Sequence, residues 1–267
     1  MTVASSTIKK AAKNALKNNL VKSVCVCCAL LFSYLINYNI SSCLYLIGGD
    51  LFANTLFIII NLFMFVPVLL GTFRFFWRIL CGVSDNPVSI FYYFTSKELY
   101  KKALKLMFIF AFKTFIYAII LLIPYFIVSI ISNIETYEFL NISAPLWTAN
   151  LSNVSAFLKS IATVGTIFMM LKYYLAPMLV VADENMDIRE AIHMSVVISK
   201  NTTLDFIYLV FSLLGWILLS LLFIPLIFTL PLFITVYLTH CSFAVSDYNE
   251  HIKKINQENF PTFVAGI

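Results

Sequence analysis

The sequence predicts an all-α fold: a polytopic transmembrane helix bundle of about six spans, with both termini on the cytoplasmic side. Three observations carry this. The chain of 267 residues is 61% hydrophobic and only 12% charged, whereas a soluble domain is about a quarter charged, so no water-soluble core of this size can hide its apolar surface. Its charge-free windows are as long as a bilayer is thick. Its Lys and Arg gather in alternate connections between those windows. Phe supplies 26 positions against 7 Gly and 8 Pro, which excludes disordered and collagen-like classes.

A spanning helix needs about 20 mostly apolar residues. The first window covers about 24–45 and the second 51–73. Gly48, Gly49 and Asp50 form a turn between them. The first is too long for the apolar core of a signal peptide and no clear cleavage site follows, so it reads as a retained span. The third runs over about 106–132 and contains Lys113; the fourth, about 160–182, contains Lys172. Residues 206–246 carry no charge; as one helix they would reach about 60 Å, twice the membrane. Pro225 and Pro231 are placed where that stretch must fold back, giving spans at about 206–223 and 227–246 before a cytoplasmic tail, 247–267.

Lys and Arg are retained on the cytoplasmic side of a membrane. One face receives Lys9, Lys10, Lys13, Lys17, Lys22, Arg74, Arg78, Lys97, Lys101, Lys102, Lys105, Arg189, Lys200, Lys253 and Lys254, which is 15 of the 18. The opposite face has Lys159 alone. The net charge of +5 therefore reports topology, and no nucleic-acid partner is expected. The Asn- and Ser-rich outer loop, about 133–158, holds sequons at Asn141, Asn150 and Asn153, taken as incidental because Asn201-Thr202-Thr203 falls on the cytoplasmic face.

Three cytoplasmic segments are more than loops. Residues 7–22 put Ile8, Ala12, Ala15, Leu16 and Leu20 on one helical face. Such a helix would lie on an anionic membrane with Lys9, Lys10, Lys13 and Lys17 in contact with the surface; the alternative is a solvated leader that only sets topology. Residues 187–200 repeat the pattern, with Asp187 as N-cap and Ile188, Ala191, Ile192 and Ser195 on one face. Residues 89–105, with Tyr92, Tyr93, Phe94 and Tyr100, read as a third interfacial stretch.

Four short motifs follow one another in the second half of the chain: Tyr174, Pro177 and Ala182-Asp183 with Asn185; Glu190-Ala191-Ile192 with Ser195; Ser212-Leu213-Leu214-Gly215-Trp216; and Pro231 with Thr235. In this order they resemble the motifs of a bacterial family of membrane proteins catalogued as domain of unknown function 975. Upstream, Ala15-Leu16 with Asn18-Asn19 and Pro67 with Gly71 match as well. Lys200 stands where the family usually has Gly, and the aromatic pair expected near His240 and Cys241 is not evident. The resemblance implies six spans, a bacterial cytoplasmic membrane and no established activity. It also implies a distant similarity to the membrane domain of some glycerophosphoryl diester phosphodiesterases, by analogy alone.

Candidate chemistry narrows quickly. His193, His240 and His251 give no zinc spacing. Glu190 and His193 have the spacing of a di-iron half-site, but no second copy exists. Cys25, Cys27 and Cys28 include a Cys-x-x-Cys, read as packing residues rather than a redox pair, and no Gly-rich phosphate loop occurs. A non-enzymatic protein without metal or cofactor is therefore expected. Its expected partners are membrane lipids, anionic headgroups above all, with a protein partner or a second copy as a further candidate.

One constellation remains. Lys172 lies roughly 16 Å along the helix from Asp183, and Lys113 about 12 Å from Lys105. No Asp or Glu lies at comparable depth in any predicted span. Intramembrane cations mark a functional hypothesis: an anion or lipid site of Lys113 and Lys172, with Tyr173, Tyr174 and Asn61 as hydrogen-bonding neighbours. The competing reading is snorkelling of each ammonium to the interface. The leading expectation is a lipid- or partner-binding membrane component; the alternative is a small transporter or permease subunit for an anionic solute.

Overall fold

A computed structural model describes residues 5–132, 148–221 and 223–259. Among them the α-helices are α1 (Ser5–Lys17), α2 (Leu20–Ile60), α3 (Val66–Leu80), α4 (Lys97–Ser132), α5 (Thr148–Leu171), α6 (Ala176–Ala182), α7 (Ile188–Ser212), α8 (Leu214–Ser220) and α9 (Phe223–Asn259). A π-helical turn, Asn61–Phe65, joins α2 to α3, and a 3₁₀ helix, Pro87–Phe94, precedes α4. Five stretches are long and apolar enough to cross a membrane: Leu20–Ile40, Phe52–Leu80, Lys97–Ile131, Asn153–Ala182 and Pro225–Lys253. The pair α7 and α8, bent by 52°, makes a sixth if it is taken as one span. The expected helical class and span number therefore agree with the structure. Residues 133–147 of the outer loop, including the Asn141 sequon, and residues 260–267 of the tail lie outside the described residues.

Boundaries differ in instructive ways. The break between the first two windows agrees with the expected turn: it falls at Gly49, whose φ of 74° and ψ of −177° are open to glycine alone, while the second apolar stretch continues to Leu80, beyond the expected 73. Helix α5 starts at Thr148, well before the expected 160, so the Asn150 and Asn153 sequons are helical. Pro231 lies inside α9 rather than in a turn; its missing N–H leaves the Ile227 carbonyl without the usual helix donor, a cost that apolar spanning helices tolerate, and Thr235 donates to the Pro231 carbonyl at 2.7 Å within the same helix.

The described chain divides by contact into two compact units, Met1–Met107 with Leu175–Ile267, and Phe108–Tyr174. The first holds most of the buried core. There the amphipathic helix ends at Lys17 and does not lie free on a surface. Ile8 and Ala12 are buried in one cluster with Leu209, Leu213 and Val236. Leu16 is buried too, whereas Leu20, outside the helix, is 51% exposed. Burying an Ile or Leu side chain is worth about 1.5–3 kcal/mol, so the periodicity marks a core helix of the bundle. Lys9 donates to the Ser212 carbonyl at 2.8 Å, where the bend before α8 interrupts the helix ladder. Its positive charge also suits the C-terminal end of α7.

The stretch around residues 89–105 is likewise built in. Pro67 lacks the N–H that would reach the Phe63 carbonyl; the chain widens into the π turn just before it, and the Tyr100 hydroxyl donates to that carbonyl at 3.0 Å. One turn later Gly71 lets the 3₁₀ helix approach closely: a Cβ there would stand 1.9 Å from the Ile90 carbonyl oxygen. Ile90 and Tyr93 are consequently buried. The Pro67-x-x-x-Gly71 motif is thus a docking device for residues 87–100.

The expected helix at 187–200 is present as the first part of α7. Asp187 is its N-cap, accepting from the Arg189 amide at 3.4 Å, and Ile188, Ala191, Ile192 and Ser195 are all buried. Ser195 Oγ accepts from the Leu175 amide at 3.2 Å, satisfying a donor left by the break ahead of Pro177. Asp183 accepts from the Asn185 amide at 2.9 Å and closes the Ala-Asp-x-Asn turn.

The second unit is a pair of helices, residues 108–132 of α4 with α5 and the turn to Tyr174. Small residues let them meet: a Cβ on Gly165 would touch the Leu121 side chain at 3.2 Å. Phe112, Phe115, Phe126, Phe157 and Phe168 are exposed, a surface suited to hydrocarbon rather than water.

Candidate functional site

Lys113 and Lys172, both inside helical stretches long and apolar enough to cross a membrane, come together within the second unit. Lys113 Nζ donates to the Tyr173 hydroxyl at 3.3 Å and lies 4.9 Å from that ring's centroid. Lys172 Nζ lies 4.7 Å from the Tyr117 centroid and 5.2 Å from that of Tyr173. The Tyr117 and Tyr173 hydroxyls are 3.0 Å apart and hydrogen-bonded. Tyr173 is buried, and its ring packs on Phe110. Both ammonium groups are within the range of a cation–π contact, and both sit on neutral phenols.

Local structure explains the convergence. Lys113 and Tyr117 are one helical turn apart on α4 and share a face. Lys172 and Tyr173 stand where α5 has ended and α6 has not begun, in the break that Pro177 forces upstream of itself. Tyr173 and Tyr174 amides make tight bonds to the Met170 and Leu171 carbonyls, at 2.9 and 3.2 Å. Between Phe108 and Ser132, and between Thr148 and Tyr174, the sequence contains Lys113, Lys159 and Lys172 and neither Asp nor Glu.

Of the expected neighbours, Tyr173 is central and Tyr174 lines an adjoining groove. That groove, of about 280 Å³, is walled by Thr114, Thr166, Ile167, Met170, Leu171 and Tyr174. Asn61 belongs to the other unit and donates to the Phe57 carbonyl at 2.9 Å, within its own helix. Tyr117 escaped the sequence reading, although its i+4 spacing from Lys113 was a usable signal. Of the surface lysines, Lys10, Lys13 and Lys17 are exposed, while Lys9 is half-buried and engaged with Ser212.

The first unit contains a charge network that the sequence did not announce. Arg74 Nε pairs with Glu184 at 3.0 Å, and its guanidinium carbon lies 3.5 Å from the Tyr92 ring centroid. Tyr92 donates to Glu184 at 2.8 Å, and Lys102 donates to the Glu184 carbonyl at 2.7 Å. Asp85 pairs with Arg78 at 3.2 Å and with Arg74 at 3.8 Å. Lys105 pairs with Asp187 at 3.1 Å. Burial alone raises the Glu184 carboxyl, but hydrogen bonds from Tyr92 and Arg74 and the charges of Arg74 and Lys102 outweigh it and hold the group below its ordinary value. Asp187 is lowered first by the hydrogen bond from Lys105, and Tyr92 is raised by burial and then by Glu184. Each of the three carboxylates faces at least one of the four cations, so the network serves as a clamp joining α3, the 3₁₀ helix, the start of α4 and the 183–187 turn.

Among the described residues no group of three or more His, Cys, Asp or Glu side chains is placed to hold a metal ion. Fold and site together define an all-α protein with five or six helices long and apolar enough to cross a membrane. Over residues 1–254 the chain matches the family described as protein of unknown function DUF975, and it belongs to that family. No curated protein and no solved structure matches it.

Proposed function

We propose that the protein is a non-enzymatic, multi-pass component of a bacterial cell membrane that binds an anionic group, a phosphate or carboxylate, at Lys113 and Lys172. The convergence of these two cations on the Tyr117–Tyr173 hydroxyl pair carries the reading. Both Nζ atoms are about 5 Å from one ring, hence within about 10 Å of each other, where like charges at an effective dielectric near 20 repel by roughly 1.5–2 kcal/mol or more. An anion between them turns that repulsion into attraction, and the phenol hydroxyls supply neutral hydrogen bonds. Snorkelling fits less well, since each ammonium is folded onto a phenol.

A transporter or permease subunit for an anionic solute shares the same site, and the helix break at Lys172–Leu175 favours it, because transporters bind ions where spans are discontinuous. The anion site itself is tested by replacing both lysines with Met, which keeps the volume and removes the charge. Native mass spectrometry of the detergent-purified protein should show retained anionic species on the parent and a loss of about tenfold or more on the variant. Equal retention by a normally helical variant overturns the reading.

A further inference from the structure

The groove beside the lysine pair has a chemistry of its own. Thr114 and Thr166 give it two hydroxyls, but the donor proton of each is already engaged. Thr114 donates to the Phe110 carbonyl at 2.9 Å and contacts Met170 sulfur at 3.3 Å, and Thr166 donates to the Ala162 carbonyl at 2.8 Å. What these residues turn to the groove is methyl, with Ile167 and Leu171 side chains, thioether and a phenol ring completing the wall. On its α5 side, residues 166–171 extend over about 7.5 Å of helical rise, and the wall continues through the turn to Tyr174. A hydrated solute gains nothing from such a wall, whereas an acyl chain does.

The groove also adjoins the cations in the chain. Thr114 follows Lys113, Leu171 and Tyr174 bracket Lys172 and Tyr173, and the Tyr173 amide donates to the carbonyl of the groove residue Met170 at 2.9 Å. A ligand with an anionic group joined to a hydrocarbon chain can meet both features, the charge on the lysines and the chain in the groove. A free phosphate or a small carboxylate can meet only the first.

We infer that the site takes its anion as the headgroup of an acylated phospholipid, with one acyl chain lying in the Thr114–Thr166–Met170–Tyr174 groove. The inference rests on the reading of Lys113 and Lys172 as an anion site. It assigns the protein a specifically seated lipid rather than a solute in transit.

The test compares three probes on the detergent-purified full chain by native mass spectrometry: long-chain phosphatidylglycerol, a short-chain soluble phosphatidylglycerol, and inorganic phosphate. The parent should retain the long-chain lipid about tenfold more than either of the others. Thr166→Phe fills the groove and leaves both lysines in place; it should remove that preference while short-chain lipid and phosphate are held as by the parent. If the parent retains inorganic phosphate as well as the long-chain lipid, or if helical Thr166→Phe keeps the preference, the groove does not seat a chain. Loss of all three probes in the double lysine-to-Met variant keeps the anion site in either case. Its retention of all three overturns the anion site itself. Should Thr166→Phe fail to fold, the chain-length series on the parent decides alone.

Discussion

Alanine at Gly71 isolates the docking of the 3₁₀ helix. The new Cβ would lie 1.9 Å from the Ile90 carbonyl oxygen and 2.6 Å from its carbon, so backbone must withdraw by about 1.5 Å to restore ordinary contact. Overpacking a core costs about 1–3 kcal/mol. The displaced atoms here are main chain, and their movement carries Tyr92 away from Glu184, which places the cost at the upper end. Alanine recovers roughly 0.5–1 kcal/mol of helix propensity, leaving a net loss of about 2 kcal/mol, or about 4–8 °C in Tm. Two controls share the chemistry without the clash. Gly215→Ala meets nothing within 4 Å and should stabilise slightly, and Gly165→Ala meets only the flexible end of Leu121 at 3.2 Å and should be near neutral. Thermal melts of the three variants in one detergent, followed by circular dichroism, give the ranking. A Gly71→Ala melt as high as that of Gly215→Ala refutes the docking argument.

Other outcomes follow from the same geometry. Tyr100→Phe removes the donor to the Phe63 carbonyl and should lower stability by about 1 kcal/mol, whereas Tyr208→Phe, at a ring 72% exposed, should change nothing measurable in the same melt. Because Glu184 is held below its ordinary value, its contribution is complete above the unfolded carboxyl pKa and is lost as pH falls through the lower folded one. The stability gap between parent and Glu184→Gln, measured from pH 7 downward, should therefore persist to about pH 4 and close below it; a gap that closes near neutrality contradicts the assignment. Reporter fusions at Gly49, within 140–155 and at 225–231 should read as outside, and those near 90, 195 and 260 as inside; a cytoplasmic signal from residue 150 excludes the six-span arrangement.

The sequence made the spans legible because charge is expensive in hydrocarbon, so gaps between Lys and Arg mark helices directly. Caps were legible for the same local reason, as Asp187 shows. What an apolar face touches was not. Ile8, Ala12 and Leu16 have a period that serves lipid and protein alike, and only the partners Leu209, Leu213 and Val236 decide between them. Pro231 was misplaced into a turn because proline's preference for a break is local, whereas a long apolar helix can carry one in its interior. The lysine pair was half visible: its charge stood out in apolar surroundings, but Tyr117 entered only when α4 and α5 were seen side by side. Asn61 was drawn in by polarity, yet its amide is engaged by its own helix. The Arg74–Tyr92–Glu184 clamp joins residues far apart in sequence, and no spacing announces it.

The most direct measurement is the distance from lipid phosphorus to the two lysine nitrogens. With the protein labelled by 15N at lysine Nζ and placed in phosphatidylglycerol bilayers, solid-state 31P–15N dipolar recoupling should dephase the signals that vanish in Lys113→Met and Lys172→Met, as expected for a phosphate hydrogen-bonded to both ammonium groups. Dephasing confined to lysines such as Lys10, Lys13 and Lys17, with none from Lys113 or Lys172, would contradict the account.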